Sequence, residues 1–213
     1  MAKTGASPWF PAQRRLRGRG LWHPPPHPAR LRSGHPRALV GYTRDPFPSD
    51  PIMFEAVPLV AANKAELYAG LAGQMDGLLH GERDRIANAA NFSALVFHTL
   101  PGLNWCGFYF FDGTELVVGP FQGKPACVRI AIGRGVCGTA AATRETQVVQ
   151  DVHEFPGHIA CDAASRSEIV VPLYDAAGGL IGVWDVDSPL PGRFDEEDRI
   201  GMERLCAIFL ASL

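Results

Sequence analysis

Asp112-Gly113 sits between two short apolar runs, residues 104–111 and 115–119 of the 213-residue chain, and no other dipeptide constrains the fold as much. An Asp-Gly pair between such runs favours a tight hairpin turn, because it tolerates the positive φ angles that match the twist of paired strands. Antiparallel pairing is therefore built in at this point. Further strand-like runs lie at 125–132, 146–150, 167–174 and 180–186, the last two joined by Ala-Ala-Gly-Gly. Alternation puts Trp105, Gly107 and Tyr109 on one face of the first strand and Cys106, Phe108 and Phe110 on the other. It also puts Asp185 and Asp187 on one face of the last strand, with Ile181 and Val183 behind them.

Helical signals flank this run. Asn63 with Glu66 three residues later is a capping-box signature, and Leu67, Leu71, Leu78 and Leu79 supply one face of a helix over 64–79. A second helix is expected over 84–99, with Ile86, Ala89, Ala90, Ser93, Val96 and Phe97 at helical spacing, ended by Pro101-Gly102. Gly-Arg-Gly-Val-Cys137-Gly leads into a short alanine-rich helix with Cys137 near its start. Asp195 caps the last helix, whose stripe is Met202, Leu205, Cys206, Phe209 and Leu213. The expectation is α+β: about six antiparallel strands, helices packed on one face and loops over the other.

Charge separates the first 52 residues from the rest. They hold nine Lys/Arg, two acids and ten of the 18 prolines, whereas residues 53–213 hold eleven Lys/Arg and twenty acids. A basic, proline-rich segment with few aliphatics cannot bury enough apolar surface to order itself, so 1–52 is expected to be disordered and 53–213 to form the domain. An Arg-rich targeting peptide, against which its prolines argue, a nucleic-acid arm, and an over-long start with Met53 opening the protein compete for this segment, and the last is the favoured expectation. The acidic domain argues against a nucleic-acid role, and no apolar run approaches the ~20 residues that cross a bilayer. No signal-peptide pattern opens the chain. Five cysteines suit a fixed disulfide framework poorly, and in a reducing cytoplasm such thiols are buried, metal-binding or catalytic.

The chemistry concentrates around the loop Asp151-Val-His-Glu-Phe-Pro-Gly-His-Ile-Ala-Cys-Asp162, which reads as long and without secondary structure. Loops of that kind inside a compact domain are usually functional or disordered. Upstream lie Cys127 and Cys137; downstream lie Glu168, Asp185 and Asp187. A thiolate at Cys137 would gain from the amides at the start of its helix. Gly107, between Trp105 and Tyr109, would leave an apolar slot. Cys106, among phenylalanines, and Cys206, on a helical stripe, read as core packing. A zinc site could draw on His153, His158 and Cys161 with Cys127 or Cys137, but the spacing matches no compact zinc pattern. Nothing matches the local signatures of Cys/His acyl-transfer enzymes. Thiol redox chemistry needs an exposed cysteine and a second one that can reach it, and Cys161 with Cys127 and Cys137 permits that.

Gly-Lys-Pro-Ala-Cys127, Gly-Arg-Gly-Val-Cys137-Gly, the 151–162 loop, Ser167-Glu-Ile-Val-Val-Pro-Leu and Asp185-Val-Asp187-Ser together closely resemble the free methionine-(R)-sulfoxide reductases, single GAF-domain enzymes. The likeness runs from about Lys64 to Leu213 and leaves the first 52 residues outside. It implies a six-stranded GAF sheet, a homodimer, and reduction of free methionine (R)-sulfoxide with thioredoxin as reductant and NADPH behind it. No bound cofactor and no metal are implied. By the resemblance, Cys161 attacks the sulfoxide sulfur and becomes a sulfenic acid, Cys127 resolves it, and Cys137 is a third redox cysteine. Trp105 and Tyr109 hold the S-methyl group, and Glu168, Asp185 and Asp187 bind the ammonium and supply a proton. The competing expectation is a GAF sensor that binds a small ligand without catalysis, although no output domain accompanies it.

Overall fold

The computed structural model describes residue 54, residues 56–157 and residues 163–213. The expected disorder of 1–52 falls outside the described residues. Among the described residues, four α-helices and six strands follow in the order α1 (Lys64–Leu79), α2 (Arg85–Thr99), β1 (Trp105–Phe111), β2 (Glu115–Gly123), β3 (Arg129–Ala131), α3 (Gly135–Thr143), β4 (Gln147–Val149), β5 (Ser167–Tyr174), β6 (Leu180–Ser188) and α4 (Glu196–Ala211). The strands form one antiparallel sheet in the order β3-β2-β1-β6-β5-β4. No helix among the described residues is long and apolar enough to cross a membrane.

Local caps explain the helix starts. Asn63 Oδ1 accepts from Glu66 N (2.8 Å), Asp84 Oδ1 from Ile86 N and Ala87 N, and Asp195 with Asp198 forms a reciprocal capping box. Helices α1, α2 and α4 cover one sheet face over a core centred on Phe92, Phe108, Trp184 and Phe209. Their rings pack edge-on or tilted at 4.5–5.8 Å between centroids. Cys106 and Cys206 are buried free thiols in this layer, as their apolar neighbours imply.

Several expectations change. Helix α3 packs on the opposite sheet face, against β5 and β6, so helices cover both faces rather than one. Ile86 and Ala90 are exposed, and α2 instead buries Asn88 and Phe92. Asn88 can be buried because its Nδ2 donates to Glu82 O and Ser212 Oγ. The third strand shrinks to Arg129–Ala131, which leaves Cys127 on the preceding loop. Leu213 lies beyond α4 and is exposed.

Two register shifts alter which side chains share a face. Between β1 and β2, Gly107 pairs with Phe121 and Tyr109 with Val118, so Gly119 and Pro120 together face Phe108. That bulge accommodates a proline and turns Phe121 onto the face of Leu116 and Val118. Between β5 and β6, Leu173 pairs with Gly182 but Tyr174 with Leu180. Ile181 is thereby displaced to the helix-covered core, away from the face of Val183 where simple alternation puts it. Gly182 permits the close approach, since a Cβ there would lie 2.1 Å from Tyr109 O.

Candidate active site

The sheet face away from α1, α2 and α4 carries the candidate residues, aligned by strand register. Trp105 pairs with Asp187 across β1 and β6, and Asp187 with Glu168 across β6 and β5. In the next row Gly107 pairs with Asp185, and beyond it Tyr109 pairs with Val183. Two acids directly opposite each other in a sheet repel. Here both belong to a buried or half-buried face, which is a poor arrangement for stability and a suitable one for chemistry.

Helix α3 brings Cys137 down onto these acids. Its Sγ lies 3.2 Å from Asp185 Oδ2 and 3.9 Å from Glu168 Oε1, and all three residues are buried. Burial first, then the charges of Asp185 and Asp187, pushes the Glu168 carboxyl well above its ordinary 4.5. Burial likewise raises Asp185, to about 7, against hydrogen bonds from Cys137, Glu168 and Val186 N that favour its charged form. The direction favours a Glu168 that keeps its proton beside Asp185. Oδ1 of Asp185 is buried with no partner among the described residues.

Cys137 is the reverse of an activated thiol. Burial, followed by Asp185 and Glu168, holds it well above its ordinary 9.0, so the favourable helix start is outweighed by two carboxyls at close range. Cys137, Glu168 and Asp185 bring one sulfur and two oxygens within 4.8 Å of one another, the distances a bound cation needs. Of the contacts among them, that of Cys137 Sγ with Asp185 Oδ2 at 3.2 Å is the shorter and already engages one of those oxygens.

An aromatic wall borders the acids. Trp105 stacks on Phe121 at 5.3 Å and 17°, and on Tyr109 at 5.8 Å and 30°. Trp105 Nε1 donates to Lys124 O (3.1 Å), which fixes the indole. The space over Gly107 is not an open slot. A Cβ there would lie 2.3 Å from Phe121 Cβ and 2.8 Å from Trp105 Cη2, so the wall itself occupies the gap. Phe121 joins the site only through the bulge at Gly119 and Pro120, and simple alternation hides it.

Cys127 is half-buried against the same cluster and is disulfide-bonded, whereas Cys106, Cys137 and Cys206 are free. Cys161 and His158 lie outside the described residues. The segment after β4 is not wholly irregular: Val152–Glu154 forms a 3-10 turn capped by Asp151. His153 is exposed, with Nδ1 2.8 Å from Asp151 Oδ1.

Residues 84–212 match the GAF domain family. The protein named free methionine-R-sulfoxide reductase of Escherichia coli (strain K12) is 53% identical over 145 residues, covering 68% of this chain and 87% of that one. The structure of free methionine-R-sulfoxide reductase from Neisseria meningitidis in complex with its substrate matches at TM-score 0.71 and 44% identity, over 75% of this chain and 95% of that one. A structure from Burkholderia vietnamiensis, named for a GAF sensor protein, matches at TM-score 0.69 and 76% identity, over 70% and 94%. With its register-aligned acids, aromatic wall and these relatives, the chain belongs to the GAF-domain family of free methionine-R-sulfoxide reductases.

Proposed function

We propose that this protein reduces free methionine (R)-sulfoxide to methionine, using its own thiols and no metal or bound cofactor. The observation that carries the proposal is the buried trio of Cys137, Glu168 and Asp185 beside the Trp105 wall, in which a neutral Glu168 stands next to an Asp185 oxygen without a partner among the described residues. Removing oxygen from a sulfoxide requires a proton donor, because unprotonated oxide is a very poor leaving group. Glu168 is that donor. Asp185 and Asp187 take the substrate ammonium, and Trp105 with Tyr109 takes the S-methyl group.

Cys161 attacks the sulfoxide sulfur. The sulfur–oxygen bond breaks as oxygen passes to Cys161, giving methionine and a sulfenic acid. The Cys127 thiol then displaces water to form a disulfide, and a dithiol protein such as thioredoxin reduces it, itself becoming a disulfide. Cys127 stands in a disulfide while three other cysteines are free, which suits this role. The cycle needs a reducing compartment such as the cytoplasm, and a homodimer is the assembly proposed for it.

The test is an NADPH-coupled thioredoxin assay on the separated R and S free sulfoxides and on N-acetylmethionine sulfoxide. Turnover of the free R form alone is expected, since acylation removes the ammonium that the acids hold. Equal turnover of the N-acetyl compound would remove this pocket from the mechanism. Binding of methionine without turnover would favour the sensor role for which the Burkholderia vietnamiensis relative is named.

A further inference from the structure

We propose that Cys137 stays outside the disulfide relay and acts as the hydrogen-bond donor that holds Asp185 in position for the substrate ammonium. The inference rests on the reductase reading for its substrate and goes beyond it in assigning this thiol.

The geometry separates the two thiol roles. A relay cysteine has to meet another sulfur and then a reductant, so it must be reachable. Cys137 is 5% exposed, sits in the first turn of α3, and is enclosed by β5 and β6. Its Sγ hydrogen-bonds to Asp185 Oδ2 at 3.2 Å, with Glu168 Oε1 farther off at 3.9 Å. A thiol in contact with two carboxyls in a low-dielectric site keeps its proton and is a weak nucleophile. The same proton is useful where it lies. Bonded to Oδ2, it fixes the rotation of the Asp185 carboxylate and leaves Oδ1, which has no partner among the described residues, as the free acceptor. A buried oxygen without a partner costs stability unless a ligand supplies one, and an ammonium group does. Cys137 is thus a positioning residue for substrate binding.

Serine keeps a donor at this position and abolishes thiol redox chemistry, whereas alanine removes both. Full-length Cys137→Ser and Cys137→Ala are compared in the thioredoxin-coupled assay, in single-turnover methionine release, and in calorimetric binding of L-methionine. Cys137→Ser is expected to retain thioredoxin-dependent cycling. Cys137→Ala is expected to cycle as well, but with KM and the methionine dissociation constant about tenfold or more above those of the serine variant and a much smaller change in kcat. A single methionine burst from Cys137→Ser without further cycling would make the thiol a redox participant and overturn the proposal. So would equal methionine affinity in the two variants. The binding arm does not depend on catalysis, so failure of the reductase reading itself appears separately, as wild-type protein that binds methionine and turns nothing over.

Discussion

Asp151 and Arg166, fifteen positions apart, are joined by an ion pair of 2.8 Å between Oδ2 and Nη2. Val152 N also donates to Arg166 O at 2.8 Å, so the two ends of the segment that carries Cys161 in sequence are tied by side chain and backbone together. Asp151 Oδ1 meanwhile accepts from His153 N and meets its Nδ1. We predict that Arg166→Gln lowers kcat on the order of tenfold while the fold persists, because a small loss of positioning is costly to a reacting group. An unchanged kcat would limit the pair to a structural role.

The same pair has a pH signature. Hydrogen bonds from Arg166, then His153, hold the Asp151 carboxyl below its ordinary 3.8. A lowered folded-state value means that the stabilisation is complete above about pH 4 and is lost as pH falls through the folded value. Thermal melts from pH 6 down to pH 2 should therefore show a steeper decline for wild type than for Asp151→Asn. Parallel declines would contradict the assignment.

Glu168 and Asp185 carry the opposite sign. Their folded-state values are raised, so the folded state is favoured while they hold protons and loses stability as pH rises through those values. For Asp185, raised from 3.8 to about 7, that loss is in place by pH 8. Glu168→Gln, which keeps the shape and removes the ionisation, should raise the melting temperature at pH 8 and nearly abolish reduction of the sulfoxide. A variant that is less stable at pH 8, or fully active, would refute the proton-donor role.

Gly107→Ala tests the aromatic wall. The added methyl would fall 2.3 Å from Phe121 Cβ, so Phe121 and Trp105 must move. We predict a loss of about 1–3 kcal/mol, as for overpacked cores, with a raised KM for the sulfoxide. Denaturant melts and steady-state kinetics measure both, and an unchanged KM would show that the wall does not contact substrate.

Cys106→Ala and Cys206→Ala should cost about 1–2 kcal/mol each through small cavities and leave turnover alone. Both thiols are buried on the helix-covered side of the sheet, across from the acids. Chemical denaturation with the coupled assay checks this; loss of turnover from either would extend the redox chemistry across the sheet.

Much of the fold was legible in the chain because its signals are local. A cap such as Asn63, Asp84 or Asp195 acts on amides two or three residues away, and the Asp112-Gly113 turn closes on its own neighbours. Trp105, Tyr109, Glu168, Asp185 and Asp187 could be named by motif and strand parity, and the register does align them. Phe121 and Ile181 could not. Each lies beside a bulge that reverses parity, and a bulge is set by how two strands pair, which neither strand states alone. Asn88 likewise reads as polar surface until Ser212, 124 positions later, supplies its partner.

The sequence alone determined the helix starts, the antiparallel pairing and the identity of the thiols and acids, because those follow from contacts within a few residues. Only the tertiary structure decided what Cys137 is. Its place at a helix start favours a thiolate, but folding sets two carboxyls from β5 and β6 against it and buries all three. Charge interactions in a buried site depend on distances between residues 31 and 48 positions apart, and the packing of α3 on the sheet sets those distances.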